Sequence, residues 1–466
     1  GVLLAKLSSK LFVGTLGLVG GLWGLRFIIT GVSRFMLKTM MTDPYVENLT
    51  ELVTATKRTG AQNILETNLR SEKAEVLQRP LGSPRKFLDF EGLMFVSSHL
   101  DRQPLPDTIP IHTGVVIGPK APRPLRIDTP LMISGMAYRT ALTDRMKYAF
   151  ALGSSLAKTS TNTGEGPFLP QERALAERLI VQYPRIPLYR TLDMLEQADA
   201  LELQLGQGAS AGAAQAPYPH LIRTELPALR KPEDLPKVVR FLKEAGQGVP
   251  VGVKFSFTNN LEREIDLCLE ANVDFLALEG AQAATIKSAP ILQDDFGLPT
   301  IMGLSRAVKH LKLRGVQDAV SLIVSGGFHS PGQCLKALAL GANAIYLGTV
   351  VLFAASHTQS LKAAPWEPPT QLTVQGGKAS KKFNWKLGGQ HLGNYLVSST
   401  EEIKEGVRAL GKHALHQVNS FDLVSLDEQT YQITGVPLAY WAHGHGSDLG
   451  AYSKRNVRAV VRSEGK

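Results

Sequence analysis

The sequence predicts an α/β fold in which eight parallel strands and their helices close into a (β/α)8 TIM barrel. Apolar, β-branched runs recur from Pro130 onward and alternate with helical patterns, which favours a parallel sheet. Residues 320–349 contain a strand, a glycine turn, a helix, a second strand and another glycine turn, in that order. The length of 466 residues accommodates a barrel of roughly 250 residues with long extensions.

The N-terminal segment differs in composition from the rest of the chain. Residues 11–25 form an uncharged apolar run, which residues 27–32 extend past Arg26, and together they approach the ~20 residues that cross a bilayer. The sequence therefore predicts a transmembrane anchor helix over residues 1–40, with the barrel in the cytoplasm, although the flanking charges barely favour an orientation. A removable signal peptide and a soluble or interfacial helix remain alternatives, but no small-x-small cleavage site follows the run.

A connector over residues 41–110 follows, with a polar helical stretch near 47–77 and then Pro- and Gly-rich loops. The barrel is predicted within 111–440. Residues 115–117 and 125–127 have the pattern of a short hairpin that closes the barrel bottom. Eight barrel strands are predicted, of which the sixth has the weakest signal: 131–134, 154–158, 200–205, 250–256, 274–279, 300–303, 320–325 and 344–347.

The remaining segments have irregular or helical composition. Residues 206–219 are rich in small residues and follow a predicted strand, which indicates a loop at the functional face. A Pro/Gly/Lys-rich excursion at 364–390 precedes a helical tail at 400–418, and residues 441–466 form a basic tail.

Bulk composition narrows the function classes. Hydrophobic residues make up 44% of the chain, which fits a globular core, and the formal net charge is +10. The basic ends suit an anionic membrane surface, and no motif with interleaved aromatic residues indicates a nucleic acid partner. The two cysteines, Cys268 and Cys334, lie in apolar helical patterns, so the sequence predicts neither disulfides nor a zinc or iron–sulfur site.

Two glycine turns end the last two predicted strands. Ser325, Gly326 and Gly327 follow the first of them, and Gly348 and Thr349 follow the second. Glycine lets backbone N–H groups approach an anion closely, and each turn precedes a helix start with its positive dipole end. At the carboxyl end of a barrel, this arrangement predicts a phosphate site.

Polar and small residues at other strand ends point to a planar ligand. Ser134, Gly135, Met136 and Ala137 end the first strand, where small residues let a ring lie against the backbone. Lys254 lies within an apolar strand, and because an unpaired buried ammonium is costly, we expect it to face the barrel mouth. A flavin explains both features, since a fixed cation stabilises the negative charge of the reduced ring.

Two further positions complete the candidate site. Gln204, near the end of another strand, is suited to hydrogen-bond the pyrimidine edge of such a ring. The polar loop at residues 158–166, KTSTNTGEG, supplies hydroxyl, amide and glycine groups that suit a ligand carboxylate or a ring edge.

Five motifs together resemble a known family. PLMISGMAY at 130–138, NTGEG at 162–166, LELQLGQGA at 201–209, VKFS at 253–256 and the SGG and LGT turns at 325–349 look like the FMN-binding synthase domain of glutamate synthase, and most closely its membrane-associated single-domain members. The resemblance covers about residues 110–440 and implies a (β/α)8 barrel with FMN at its mouth.

The resemblance also implies roles for individual residues. The flavin ring would contact Ser134, Gly135, Met136, Ala137, Thr159, Ser160 and Lys254, and we add Gln204 at the ring edge on the residue argument above. The phosphate would contact Ser325, Gly326, Gly327, Gly348 and Thr349. Substrate would meet Asn162, Thr163, Gly164 and Gln207, with Lys254, Gln204 and Glu165 as the catalytic group.

The chain departs from the family pattern around the expected 2-oxoglutarate site. Gln204 and Ser210 stand where the family has lysines, and residues 212–215 and 283–286 replace glycine-rich motifs. The three-cysteine motif for an iron–sulfur cluster is absent from this sequence, as is an amidotransferase domain with an N-terminal cysteine. These departures leave the FMN prediction in place and put glutamate formation in doubt, unless Lys287 or Arg306 substitutes for the missing charges.

The sequence therefore predicts a membrane-anchored, FMN-dependent oxidoreductase of amino-acid metabolism that reduces a small oxo- or imino-acid, with an electron-donor protein or a quinone as partner. One alternative is a non-catalytic flavin-binding barrel within a membrane complex. Another is a different FMN barrel enzyme, an isomerase or a hydroxy-acid oxidase, for which His329 and Arg306 are the candidate His–Arg pair.

Overall fold

A computed structural model of the chain describes residues 2–48, 50–139, 141–208, 225–283 and 288–440, with the backbone alone described at 2–20 and 22. The chain divides into two compact units, Gly1–Leu77 and Gln78–Lys466.

The first unit contains three helices, α1 (Val2–Thr42), α2 (Thr50–Thr59) and α3 (Ala61–Lys73). The last two correspond to the polar helical stretch that the sequence predicts. Glu51 near the start of α2 and Lys57 and Arg58 near its end complement the helix dipole.

The prediction of a transmembrane anchor is corrected by the structure. Among the residues that it describes, no helix is long and apolar enough to cross a membrane. In the part of α1 whose side chains are described, Arg26, Arg34 and Lys38 break the apolar sequence into pieces far shorter than the ~20 residues that a bilayer requires. Most of the apolar run at 11–25 belongs to the positions where the backbone alone is described.

The second unit contains the barrel. Its eight strands are β4 (Leu131–Ile133), β5 (Thr161–Asn162), β6 (Leu179–Pro184), β7 (Ala200–Gln204), β8 (Val251–Ser256), β9 (Phe275–Glu279), β10 (Ser321–Ser325) and β11 (Ala344–Leu347). They form one sheet in the order β4-β11-β10-β9-β8-β7-β6-β5, and all its pairs are parallel. Ile133 N donates to Ser160 O at 3.1 Å, which joins β4 to the residue before β5 and closes the ring. The predicted barrel is confirmed.

Two of the eight predicted strands are wrong. Residues 154–158 include the end of α4 (Asp144–Leu156), and residues 300–303 begin α10 (Thr300–Leu313). The two barrel strands that the sequence analysis missed are β5 and β6. Helix α4 has a Thr143 N-cap, whose side chain accepts from Met146 N, and its apolar face is buried, so tertiary packing continues the helix through residues 154–156.

The other helices of this unit surround the barrel or follow it. They are α5 (Pro170–Leu175), α6 (Leu192–Glu196), α7 (Leu235–Ala245), α8 (Leu261–Glu270), α9 (Pro290–Asp295), α11 (Pro331–Leu340), α12 (Thr349–Ser356), α13 (Pro368–Thr373), α14 (Trp385–Ala409) and α15 (Glu428–Thr434). The predicted helical tail thus begins earlier than expected, because Asn384 caps α14. The antiparallel pair β1 (Leu93–Phe95) and β12 (Leu423–Ser425) joins segments from before and after the barrel.

Strand alternation divides the core into two layers. Outward residues such as Leu201 and Leu203 of β7 pack against the helices, whereas inward residues such as Ala200 pack in the barrel interior. The hairpin of β2 (Val115–Ile117) and β3 (Leu125–Ile127) is antiparallel, and Ile117, Leu125 and Ile127 pack into the interior cluster. The predicted closure of the barrel bottom by this hairpin is confirmed.

Candidate functional site

A cavity of about 560 Å3 opens among residues that follow the carboxyl ends of the barrel strands. Most of the predicted site residues line it: Ser134, Gly135, Met136, Ala137, Glu165, Gln207, Lys254, Ser325, Gly326, Gly327, Gly348 and Thr349. The structure therefore brings the first-strand turn, the lysine and both glycine turns to one place.

Six predicted residues do not line the cavity. Thr159 is fully buried, and its hydroxyl donates to Leu131 O at 2.7 Å, so it joins the segment before β5 to β4. Ser160 is equally buried, and its hydroxyl has no hydrogen-bond partner among the described residues. Asn162, Thr163, Gly164 and Gln204 lie in the wall behind the lining residues, and their proposed ligand contacts stay predictions.

Lys254 lines the cavity from strand β8, and we call this part of the lining the cavity floor. Its Nζ is 2.9 Å from Glu279 Oε1 and donates to Ser134 Oγ at 3.4 Å. Burial alone lowers the pKa of Lys254, but the carboxylates of Glu279 and Glu202 outweigh it and leave the pKa raised above its ordinary value. Lys254 is therefore a charged, fixed cation at neutral pH.

A closed polar network lies in the barrel interior beneath the cavity. The buried carboxylate of Glu202 accepts hydrogen bonds from Asn162 Nδ2 at 2.9 Å, Gln182 Nε2 at 2.7 Å and Tyr346 OH at 2.7 Å. Burial and the neighbouring Glu202 raise the pKa of Tyr346 well above its ordinary value, so its hydroxyl remains a donor. A Cβ at Gly135 would approach Asn162 Oδ1 to 2.8 Å, so only glycine lets the first-strand turn pack on this network.

Glu165 faces the cavity from the opposite wall. Its Oε1 accepts from Gln204 Nε2 and, at 2.6 Å, from Gln207 Nε2. Two neutral amides thus orient this carboxylate, and among the described residues no cation forms a direct ion pair with it.

Both predicted glycine turns line the cavity, and their contact with a phosphate stays a prediction. Gly326 and Gly327 adopt φ values of 118° and 78°, in the region that side chains rarely adopt. A Cβ at Gly348 would meet nothing within 4 Å, although Gly348 lines the cavity, so the space in front of it is open. Helix α12 begins at Thr349, directly behind this turn.

Two buried cations hold the loop at residues 162–166, and sequence reasoning missed both. Lys147 Nζ donates to Met136 O at 3.0 Å and to Asn162 O at 2.7 Å, and it lies 3.0 Å from Glu172 Oε1. Burial lowers the pKa of Lys147 and raises the pKa of Glu172, but each partner's charge opposes the shift of the other, and we take the pair as ionised.

Arg190 is the second cation, and it binds the same loop from the other side. Its guanidinium donates to Gly164 O at 2.7 Å, Gly166 O at 2.8 Å and Gln182 O at 2.6 Å. Burial lowers the pKa of Arg190 to about 10, which still leaves it charged at neutral pH.

An N-terminal segment of the second unit, residues 78–89, also lines the cavity; we call it the mouth arm. Pro80, Leu81, Ser83, Arg85, Lys86, Phe87 and Asp89 contribute to the lining. No sequence signal indicated this segment, because it lacks regular structure and precedes the barrel.

The sequence does contain a signal for Glu202, which the sequence analysis did not name, since strand alternation places Glu202 on the same inward face as Gln204.

The other candidate groups are not assembled. His329 lines the cavity, but Arg306 forms an ion pair with Glu262 at 2.5 Å and is not in the lining, so no His–Arg pair forms. Lys287, Ser210 and residues 212–215 lie outside the described residues, as do 284–286. Among the residues that the structure describes, no three His, Cys, Asp or Glu side chains gather as a metal site.

Comparison with known proteins matches this chain to a sequence family. The model of the conserved region in glutamate synthase matches residues 99–230 and 224–413. The glutamate synthase large subunit-like protein of Rhizobium meliloti (strain 1021) is 29% identical over 408 residues, which cover 79% of this chain and 92% of that protein. The archaeal glutamate synthase (NADPH) of Archaeoglobus fulgidus is 27% identical over 336 residues, which cover 68% of this chain and 64% of that protein.

Solved structures show weaker similarity. A flavocytochrome B2 mutant has a TM-score of 0.49 and 16% sequence identity, covering 78% of this chain and 81% of that chain. A mandelate oxidase mutant with (S)-mandelic acid has a TM-score of 0.48 and 15% identity, covering 72% and 86%. Similarity of this size bears on neither substrate nor reaction.

Proposed function

This chain belongs to the glutamate synthase family, and we propose that it is an FMN-dependent oxidoreductase that reduces a small oxo- or imino-acid. The observation that carries the proposal is the charged Lys254 on the floor of a cavity that also contains two glycine turns. An electron-donor protein or a quinone is the proposed source of electrons.

The glycine turns support binding of a phosphate group. Gly326, Gly327 and Gly348 present backbone without side chains to the cavity. The space beside Gly348 is open, because an added Cβ there would meet no protein atom within 4 Å. Helices α11 and α12 begin just after these turns, so their positive dipole ends favour an anion.

The cavity floor supports binding of a planar ring that gains negative charge. FMN, when bound, supplies the hydride and electron transfer chemistry. Lys254 contributes a cation held in place by Glu279 and Ser134, so it stabilises such charge without reorganisation. The Glu202 network holds Gly135 and the first-strand turn against the floor.

Glu165 is the candidate group for holding or moving a proton. Gln204 and Gln207 fix the orientation of its carboxylate toward the cavity. Because Gln204 occupies the place of a family lysine, the described wall provides amides where a dianionic substrate needs cations. We therefore propose that 2-oxoglutarate is a poor substrate and that a less anionic oxo- or imino-acid is preferred.

The first experiment tests flavin binding and reaction class together. The full chain is purified and its visible spectrum is recorded, and FMN is then added. Bound FMN is expected, and under anaerobic conditions the reduced flavoprotein should be reoxidised by a small oxo- or imino-acid in the presence of ammonia. Lys254→Met should retain the fold and slow reoxidation at least about 100-fold, since one fixed charge contributes on the order of 3 kcal/mol to such a step.

Colourless protein that takes up no FMN would contradict the proposal. A flavoprotein that no oxo- or imino-acid reoxidises would favour a non-catalytic flavin-binding barrel.

A second experiment tests the substrate argument. Gln204→Lys restores a cation beside Glu165, so glutamate formation from 2-oxoglutarate and ammonia should rise roughly 10-fold over the wild type, with Gln204→Met as the uncharged control. Efficient turnover of 2-oxoglutarate by the wild type would show that the missing lysine is unimportant.

A further inference from the structure

The mouth arm, residues 78–89, carries a lysine that no part of the proposed reaction uses. Lys86 lines the cavity and is exposed, and among the residues that the structure describes it has no hydrogen-bond or ion-pair partner. An exposed side chain is by itself no site, so its significance depends on where the arm is held.

One end of the arm is fixed to α9. Arg79 Nη1 lies 2.6 Å from Asp294 Oδ1, and Ser83 Oγ donates to the same oxygen at 2.5 Å. Arg85 donates to Asp294 O at 2.7 Å and lies 3.1 Å from Asp295 Oδ1. Arg85 is therefore committed to α9, and its charge is balanced there.

The other end of the arm is fixed beside the first glycine turn. Gln282 Nε2 donates to Leu88 O at 3.1 Å, and a Cβ on Gly327 would lie 3.0 Å from the Gln282 side chain. Phe90, just after the arm, stacks on Phe328 with ring centroids 5.3 Å apart. A single side chain thus separates Leu88 from Gly327.

This placement brings Lys86 within reach of the glycine turns. Two residues of extended chain span roughly 7 Å, and the lysine side chain is long and flexible. Asp89 lines the same end of the cavity, but its Oδ1 accepts from Glu91 N at 2.9 Å and closes a local turn. Within the described part of the chain, Lys86 is the cation of the arm that forms no ion pair.

We propose that the mouth arm is part of the cofactor site and that Lys86 supplies the countercharge to the terminal phosphate of FMN. The glycine turns provide backbone and dipole contacts to that phosphate, and Lys86 adds a full charge from a segment outside the barrel. The inference rests on the proposed FMN binding and adds a residue to it.

The test compares two flavins that differ only in the phosphate. FMN and riboflavin are titrated into flavin-free full-length chain, and dissociation constants are obtained from the quenching of flavin fluorescence. Lys86→Met should raise the Kd for FMN about 5- to 10-fold and change the Kd for riboflavin less than about two-fold. Lys86→Arg should retain most of the FMN affinity.

The matched control removes the same charge elsewhere. Lys120 is also an exposed lysine, but it lies in the turn between β2 and β3 at the bottom of the barrel. Lys120→Met should leave both dissociation constants unchanged. Raising the ionic strength from about 0.05 M to 0.5 M should shrink the effect of Lys86→Met, because salt screens exposed charges.

Equal loss of FMN and riboflavin affinity in Lys86→Met, or no loss of either, would overturn the assignment while FMN binding by the wild type still stands. A defect in substrate affinity alone, with the Kd for FMN unchanged, would also overturn it. If the wild type binds neither flavin, the proposed function itself fails.

Discussion

On the β10–β11 side of the cavity, glycine turns and helix N-termini present backbone groups to a ligand. On the β5–β6 side, by contrast, buried cations donate hydrogen bonds to the backbone carbonyls. Gly326, Gly327 and Gly348 form the first side. Lys147 and Arg190 hold the second through carbonyls of the loop at 162–166. The first side is suited to receive an anion. Buried cations hold the loop of the second side in place, so we call it the rigid side, and Glu165 of that loop still lines the cavity.

The largest expected effect comes from breaking the rigid side. Lys147→Met leaves Glu172 buried and unpaired, so the free energy of unfolding should fall by about 3–5 kcal/mol in chemical denaturation. Lys404→Met, which removes an exposed i,i+3 pair with Glu401 on α14, is the control and should cost less than about 1 kcal/mol.

The double variant Lys147→Met/Glu172→Met separates charge from packing. Replacing both partners by apolar side chains should recover most of the lost stability. If Lys147→Met alone costs no more than the control, the buried pair does not hold this wall.

The next effect tests the open side without disturbing the fold. Gly348→Ala adds a Cβ that meets no protein atom, so stability of the flavin-free chain should be unchanged. The Kd for FMN should rise at least about 10-fold, or roughly 1.4 kcal/mol, because the methyl group enters the phosphate space.

Gly332→Ala provides the matched control in the first turn of α11. Its Cβ would lie 3.9 Å from Ser330 Oγ and outside the cavity lining, so FMN affinity should not change. Unaltered FMN binding by Gly348→Ala would place the phosphate elsewhere.

A pH experiment examines the floor between the two sides. The folded-state pKa of Lys254 is raised above 10.5, so its stabilising contribution is fully present below pH 10.5 and is lost as pH rises through the folded-state value. The stability difference between wild type and Lys254→Met should therefore be constant from about pH 6 to 9. A difference that already declines near pH 8 would mean that Glu279 and Glu202 do not hold the charge.

The smallest effect concerns the thiols. Burial raises the pKa of Cys268 and of Cys334 to about 12, so neither should react with an aromatic disulfide reagent at pH 8 in the native state. Both should react after denaturation. Because Cys334 lies in α11 behind the first glycine turn and Cys268 lies in α8, selective labelling of Cys334 in flavin-free protein would indicate that the open side loosens before the α8 region.

The sequence predicted the features that depend on local patterns and missed those that depend on tertiary contacts. Glycine turns, an apolar strand with Lys254 and the bottom hairpin are local patterns, and the structure places each as predicted. Strand β5 has only two residues, Thr161 and Asn162, too few for any periodic signal. Strand β6 does carry an apolar run, LIVQY, which the sequence analysis did not identify as a strand.

The remaining site residues depend on long-range contacts. Lys147 and Glu172 lie on different helices, and Arg190 reaches carbonyls from a loop, so no spacing rule connects them to the loop at 162–166. The mouth arm lies next to Gln282 only through tertiary contact. The anchor prediction relied on apolar composition, and the charges at Arg26, Arg34 and Lys38 are spaced too closely in the described part of α1.

The pairing of β1 with β12 affects the order in which the protein matures. Leu93 pairs with Ser425, so the strand just after the mouth arm completes its sheet only after the whole barrel has been synthesised. Contacts between such distant segments form late, because closing the long intervening loop must come first. On the ribosome, the barrel strands therefore emerge before β1 acquires its partner β12, and closure of this outer two-stranded sheet is expected to be among the last steps of folding.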